Sequence, residues 1–166
     1  MAGGVTRQGW GMAGQVAARL AELGIELPRA PAPAAAYVPY TRAGDLLFVA
    51  GQLPMFMGEL RFVGKVGVEY SIEEGQAAAR QCGVNLIAQV ADALDGDLDR
   101  LVRCVKLGGF VNTVPEFRDH PKVVNGASQL MIQVFGDIGR HARFAVGANS
   151  LPFGACVEID GIFQVR

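Results

Sequence analysis

The stretch HARFAVGANSLPFGACVEIDGIFQV, His141 to Val165, decides the fold. It reads as two β-strands, Arg143–Ala148 and Ala155–Val165. A short loop carrying Asn149, Ser150, Pro152 and Gly154 joins them, and the alternation of apolar and polar residues is clearest around Val157 and Ile159. The pattern predicts a hairpin. Arg143 and Glu158 lie about equally far from the loop midpoint, so a symmetric antiparallel register sets them opposite each other on one face. The pair reads in two ways. A guanidinium can hold a substrate carboxylate through two parallel hydrogen bonds while Glu158 positions or activates a water. Alternatively it is an ordinary cross-strand ion pair, worth at most about 1 kcal/mol if exposed, and pairing alone favours this second reading.

Working outward, the 166 residues with 51% hydrophobic content suit one domain with a real core. Net charge is −1 with a pI near 6.1, and no Lys/Arg cluster marks a phosphate-tracking surface, so nucleic acid is not an expected partner. Cys82, Cys104 and Cys156 are far apart and embedded in apolar segments. They read as buried free thiols of a reducing cytoplasm, with no metal or cofactor site implied. The longest strongly apolar run, Leu46–Ala50, is too short to span a bilayer, and Gln15 and Arg19 interrupt any signal-like segment. A soluble, cytoplasmic protein is expected.

From the N-terminus, residues 1–36 read as a glycine-rich arm carrying Trp10, an amphipathic helix over Ala13–Leu23 stopped by Gly24, and a Pro/Ala-rich linker. Trp10 reads either as a residue packing on a neighbouring subunit or as a cap of that helix. Residues 37–166 form the domain. Strands are predicted at Tyr37–Thr41 and Leu46–Gly51 around an Ala43–Gly44–Asp45 turn, with a short strand at Leu60–Val63 among the turn glycines Gly58, Gly64 and Gly67. Ser71-Ile-Glu-Glu74 is a capping box opening a helix that runs to about Leu94. Leu101–Val111 is an apolar, central strand in which Gly108–Gly109 suggests a bulge. Asn125 reads as the cap of a helix from Gly126 to about Phe135, in preference to a ligand contact. His141 reads as a structural or interface histidine ahead of a pH-tuned acid or base.

Arg143, the Leu151–Pro152 turn and Val157–Glu158–Ile159 resemble the signature A-R-x-x-V…L-P…V-E-I-E of the RidA/YjgF family, also called the endoribonuclease L-PSP or reactive-intermediate deaminase family. Tyr37, Gly44–Asp45 and Gly51–Gln52–Leu53–Pro54 resemble that family's N-terminal hairpin, and Asn125 resembles the asparagine opening its second long helix. The similarity runs from Tyr37 to Val165. The opening L-x-E-L-G-I-x-L-P and the run N-G-A-S-Q-L…F-G-D-I-G-R-H-A-R-F-A-V-G resemble a longer branch of poorly defined function.

Element order alone predicts an α+β domain with helices on one face of a mixed sheet. The resemblance implies the chorismate-mutase-like fold, with a mainly antiparallel sheet, two long helices on one face and an extra N-terminal helix. It also implies a homotrimer with pockets between adjacent subunits. The implied activity is hydrolysis of enamines or imines to 2-keto acids and ammonia. Arg143 would bind the substrate carboxylate, Glu158 would orient the attacking water, Tyr37 would line the pocket, and Ala50, Gly51 and Asn125 would contact the ligand. Ala50 stands where better-known deaminases usually have serine, and Ala145 where they often have cysteine, which implies a less polar pocket. A non-catalytic, metabolite-binding trimer is the alternative, and RNA cleavage is the least favoured reading.

Overall fold

The computed structural model describes residues 14–30 and 36–166. The Met1–Gly11 arm with Trp10, and most of the Pro/Ala linker, lie outside the described residues.

Ser71 starts the longest helix as its sequence requires. Its hydroxyl accepts the Glu74 N–H at 3.1 Å while Glu74 Oε2 accepts the Ser71 N–H at 2.8 Å, satisfying two amides that a helix start leaves unpaired. This helix, α2 (Ile72–Ala93), packs against α3 (His120–Phe135). Glycine permits their close approach, because a side-chain carbon at Gly126 would collide with the Gln76 carbonyl oxygen. Both helices cover one face of a five-stranded sheet of order β1-β2-β7-β5-β6. Its strands are β1 (Tyr40–Ala43), β2 (Leu46–Gln52), β5 (Leu101–Asn112), β6 (Ala142–Ala148) and β7 (Val157–Val165); β3 (Met55–Phe56) and β4 (Glu59–Leu60) form a separate small hairpin. Leu47, Leu107, Ile159 and Phe163 from the sheet meet Leu86, Ile87, Leu130 and Met131 from the helices in one core. The expected α+β architecture, mostly antiparallel with helices on one face, is what forms.

The short helix α1 (Gln15–Glu22) buries Leu20 in that core. Its N-terminus has no side-chain cap of its own. Asp99 supplies one from far along the chain, accepting the Gln15 and Val16 N–H groups at 3.0 Å each.

The predicted C-terminal hairpin does not form. β6 pairs with β5 in parallel, β7 pairs with β5 antiparallel, and β5 therefore lies between the two strands expected to be partners. Two strands joined by an irregular loop carry the same local pattern whether they pair or straddle a third, and here α3 carries the chain across the sheet so that β6 returns parallel. The expected bulge at Gly108–Gly109 is also absent. The register shifts lie between Leu101 and Arg103 and between Cys104 and Lys106. The two glycines make room instead, Gly108 for Asp160 and Phe144 on one face and Gly109 for Val124 on the other. β1 starts at Tyr40 rather than Tyr37 because Pro39 has no N–H to give the ladder. The three cysteines are free and buried, as expected.

Candidate functional site

Arg143 projects from the edge strand β6 toward α3. Nη1 donates to Asn125 Oδ1 at 2.8 Å and to Ser128 Oγ at 3.1 Å, and Nη2 donates to the Pro121 carbonyl at 3.3 Å. Asn125 and Ser128 are three residues apart on α3 and so share a face. Asn125 is therefore inside a helix that begins five residues earlier, at His120, with Pro121 in the first turn. The cap reading of Asn125 is overturned, since proline fits the first helical turn, where its missing N–H has no helical partner to lose. The Nε–H and one Nη2 hydrogen have no acceptor among the described residues. That leaves a side-on fork, the shape that matches a carboxylate.

His141, two residues before Arg143, turns to the same side, as extended spacing dictates. Its Nε2 lies 2.8 Å from Ser128 Oγ and its Nδ1 lies 2.7 Å from the Gly139 carbonyl oxygen. Burial pushes the His141 pKa below its usual value; the bond to Gly139 opposes this, and the Arg143 cation adds to it.

Glu158 occupies the other face. Its neighbours Val157 and Ile159 are fully buried under the helices, so alternation sends Glu158 outward, and its register partner Phe110 is 37% exposed. Arg143, by contrast, pairs with Leu107, which is buried on the helix side. A side chain at Gly51 would collide with Glu158 Oε1, so the acid lies directly over bare β2 backbone. At that point the β2–β7 register shifts between Val49 and Gln52, and the irregularity takes in Ala50 and Gly51. The Pro39 carbonyl accepts the Ala50 N–H at 2.9 Å, tying the segment that carries the half-exposed Tyr37 to this end of β2. Burial raises the Glu158 pKa, and Asp160 two residues on raises it further. Asp160 is itself raised, first by burial.

The predicted residues thus fall into two groups. Arg143 and Asn125 sit on the helix side of β6, whereas Glu158, Gly51 and Ala50 cluster around β2 and β7 with Tyr37 leading in. The expectation that Arg143 and Glu158 face each other within one hairpin is overturned, because β5 separates their strands and their side chains leave opposite faces. Ser128 was missed; its one signal is the three-residue spacing from Asn125, which counts only once the helix is known to start before both. A groove of about 450 Å³ between the β3–β4 hairpin and α2, lined by Phe56, Arg61, Phe62, Tyr70, Ala77 and Gln81, contains none of these residues. Among the described residues no group of three potential ligands could hold a metal ion, and no helix is long and apolar enough to cross a membrane.

A family model described as "YjgF/chorismate mutase-like, putative endoribonuclease" matches residues 17–160. The Trypanosoma cruzi protein TCP17 is 49% identical over 154 residues, covering 92% of this chain and 96% of its own. A solved structure of a protein of unknown function from Agrobacterium tumefaciens is 50% identical with a TM-score of 0.86, covering 91% of this chain and 92% of that one. Another, described as a putative endoribonuclease from Shewanella oneidensis, is 33% identical with a TM-score of 0.88 and covers 92% of this chain and all of its own.

Proposed function

Since the chain belongs to the YjgF/chorismate mutase-like family, we propose that it hydrolyses enamines or imines of small carboxylate-bearing molecules to 2-keto acids and ammonia, in pockets between the subunits of a homotrimer. The observation that carries this is the Arg143 guanidinium, held by α3 at Nη1 with its side-on fork left open. A fork in that state binds a carboxylate through two charge-assisted bonds. β6 is an edge strand, so groups on it lie at the boundary of the subunit. Glu158 and Arg143 leave opposite faces, and a site using both takes Arg143 from one subunit and Glu158 from a neighbour.

In that pocket Arg143 fixes the carboxylate and so places the adjacent imine carbon. Glu158 accepts a proton from a water as its oxygen adds to that carbon. Glu158 returns that proton to the imine nitrogen to give the carbinolamine. It then moves the hydroxyl proton to the same nitrogen as the C–N bond breaks, so that ammonia leaves, the ketone forms and the carboxylate is regenerated. A carboxylate whose pKa is raised by burial is a stronger base than an exposed one. The imine carbon is already electrophilic, so positioning supplies much of the catalysis.

The test mixes purified protein with a freshly generated 2-imino acid and follows keto-acid release. Arg143→Ala should abolish the enzyme-dependent increment, because two bonds to a charged group are worth roughly 1.5–3 kcal/mol each. A rate no faster than without protein would overturn the proposal. Ala50 and Ala145, which remove polar contacts that better-known deaminases have, favour a second reading, a trimer that binds a metabolite without turning it over. Tight keto-acid binding with no imine hydrolysis would select it. RNA cleavage is the least supported, because the chain carries a net charge of −1.

A further inference from the structure

We infer that Ser128 and His141 are positioning residues for Arg143, forming a directed chain of hydrogen bonds that pins one end of the guanidinium and leaves the other end facing outward. The inference rests on the proposed role of Arg143 as the carboxylate anchor.

The direction of the chain follows from what each atom can give. The Gly139 carbonyl only accepts, so His141 Nδ1, 2.7 Å away, must carry the proton. In neutral imidazole Nε2 is then an acceptor, and the atom 2.8 Å from it is the Ser128 hydroxyl, which must donate. With its hydrogen committed, Ser128 Oγ presents lone pairs to the Arg143 Nη1 hydrogen at 3.1 Å. Asn125 Oδ1 takes the other Nη1 hydrogen at 2.8 Å. Nη1 is saturated and cannot rotate toward a ligand, so an incoming carboxylate meets only the Nε and Nη2 hydrogens. Burial, and to a lesser degree the neighbouring guanidinium, push the His141 pKa below its usual value against the opposing bond to Gly139, which favours the neutral form that the chain needs. Both histidine nitrogens and the serine hydroxyl are thereby consumed in orientation, and neither residue needs to touch the substrate.

Ser128→Thr and Ser128→Val separate this role from simple packing, since the two side chains are near-isosteric and only threonine has the hydroxyl. Pyruvate binding, followed by NMR titration, should be near wild type in Ser128→Thr and about tenfold weaker in Ser128→Val, a difference of about 1.4 kcal/mol that one hydrogen bond to a charged group can supply. Equal affinities in the two variants would overturn the inference. If wild type and Arg143→Ala bind pyruvate equally, it is the proposed anchor that fails. The hydrogen-bond chain is then still read from the His141 ¹⁵N spectrum, which should show a protonated Nδ1 and a bare Nε2, with Nε2 shifting in Ser128→Val but not in Ser128→Thr. A protonated Nε2 at neutral pH, or no shift in Ser128→Val, would overturn the chain itself.

Discussion

Glu158 has its carboxyl over backbone rather than under a side chain because residue 51 is glycine, and yet it remains half-buried beside Asp160. Burial, and then Asp160, hold its pKa above the ordinary 4.5, so ionising it costs more in the folded than in the unfolded chain. The corresponding stability is complete below pH 4.5 and is lost as pH rises through the folded-state value. Glu158→Gln removes the ionisable group, and the variant should therefore resist urea better than wild type at pH 7, with the gain disappearing below about pH 4.5. The same variant should lose imine hydrolysis. A loss of stability at pH 7 would show instead that the ionised acid is paired by a cation. At Arg143, lysine keeps the charge but not the fork, and Arg143→Lys should retain much less than half of the wild-type turnover in a keto-acid assay.

Two contacts between elements govern how the helices sit. Asp99 caps α1 from a distant turn, so Asp99→Ala should cost about 1 kcal/mol and speed hydrogen exchange at the Gln15 and Val16 amides. Gly126 lies where α2 and α3 come closest. Alanine there gains up to about 1 kcal/mol of helix propensity but forces a backbone carbonyl away, and overpacking costs typically 1–3 kcal/mol, so Gly126→Ala should lower the urea midpoint. The elements themselves were largely legible in the sequence, since the Ser71 capping box, the β1–β2 turn and the apolar β5 announce themselves within a few residues. Pairing was not legible, because periodicity reports which residues face a core and not which strand lies alongside. That gap split the expected Arg143–Glu158 pair between two faces. Asn125 was misread for a related reason: a good capping residue one turn inside a helix is identified only by knowing where the helix starts, and Pro121 was the overlooked sign.

On the scale of the molecule, the face of the sheet turned away from the helices carries Phe48, Phe110 and Val146, between 37% and 43% exposed, together with Phe144. Exposed apolar side chains grouped in this way around the Glu158 and Asp160 carboxyls favour burial against another surface. The proposed homotrimer supplies that surface, and sedimentation equilibrium should give three times the 17.6 kDa subunit mass. Val146→Lys, which puts a charge on this face, should shift the population toward monomer; a wild-type protein that sediments as a monomer would remove the basis for shared pockets. The order β1-β2-β7-β5-β6 has a further outcome during biosynthesis. The middle strand is the last of the five to leave the ribosome, so β1–β2 and β5–β6 emerge as two ribbons, each with a bare edge awaiting the same insert. Until β7 slots between them, the nascent chain displays two unsatisfied templates for stray pairing, and the speed of that one insertion sets how long it is vulnerable to aggregation.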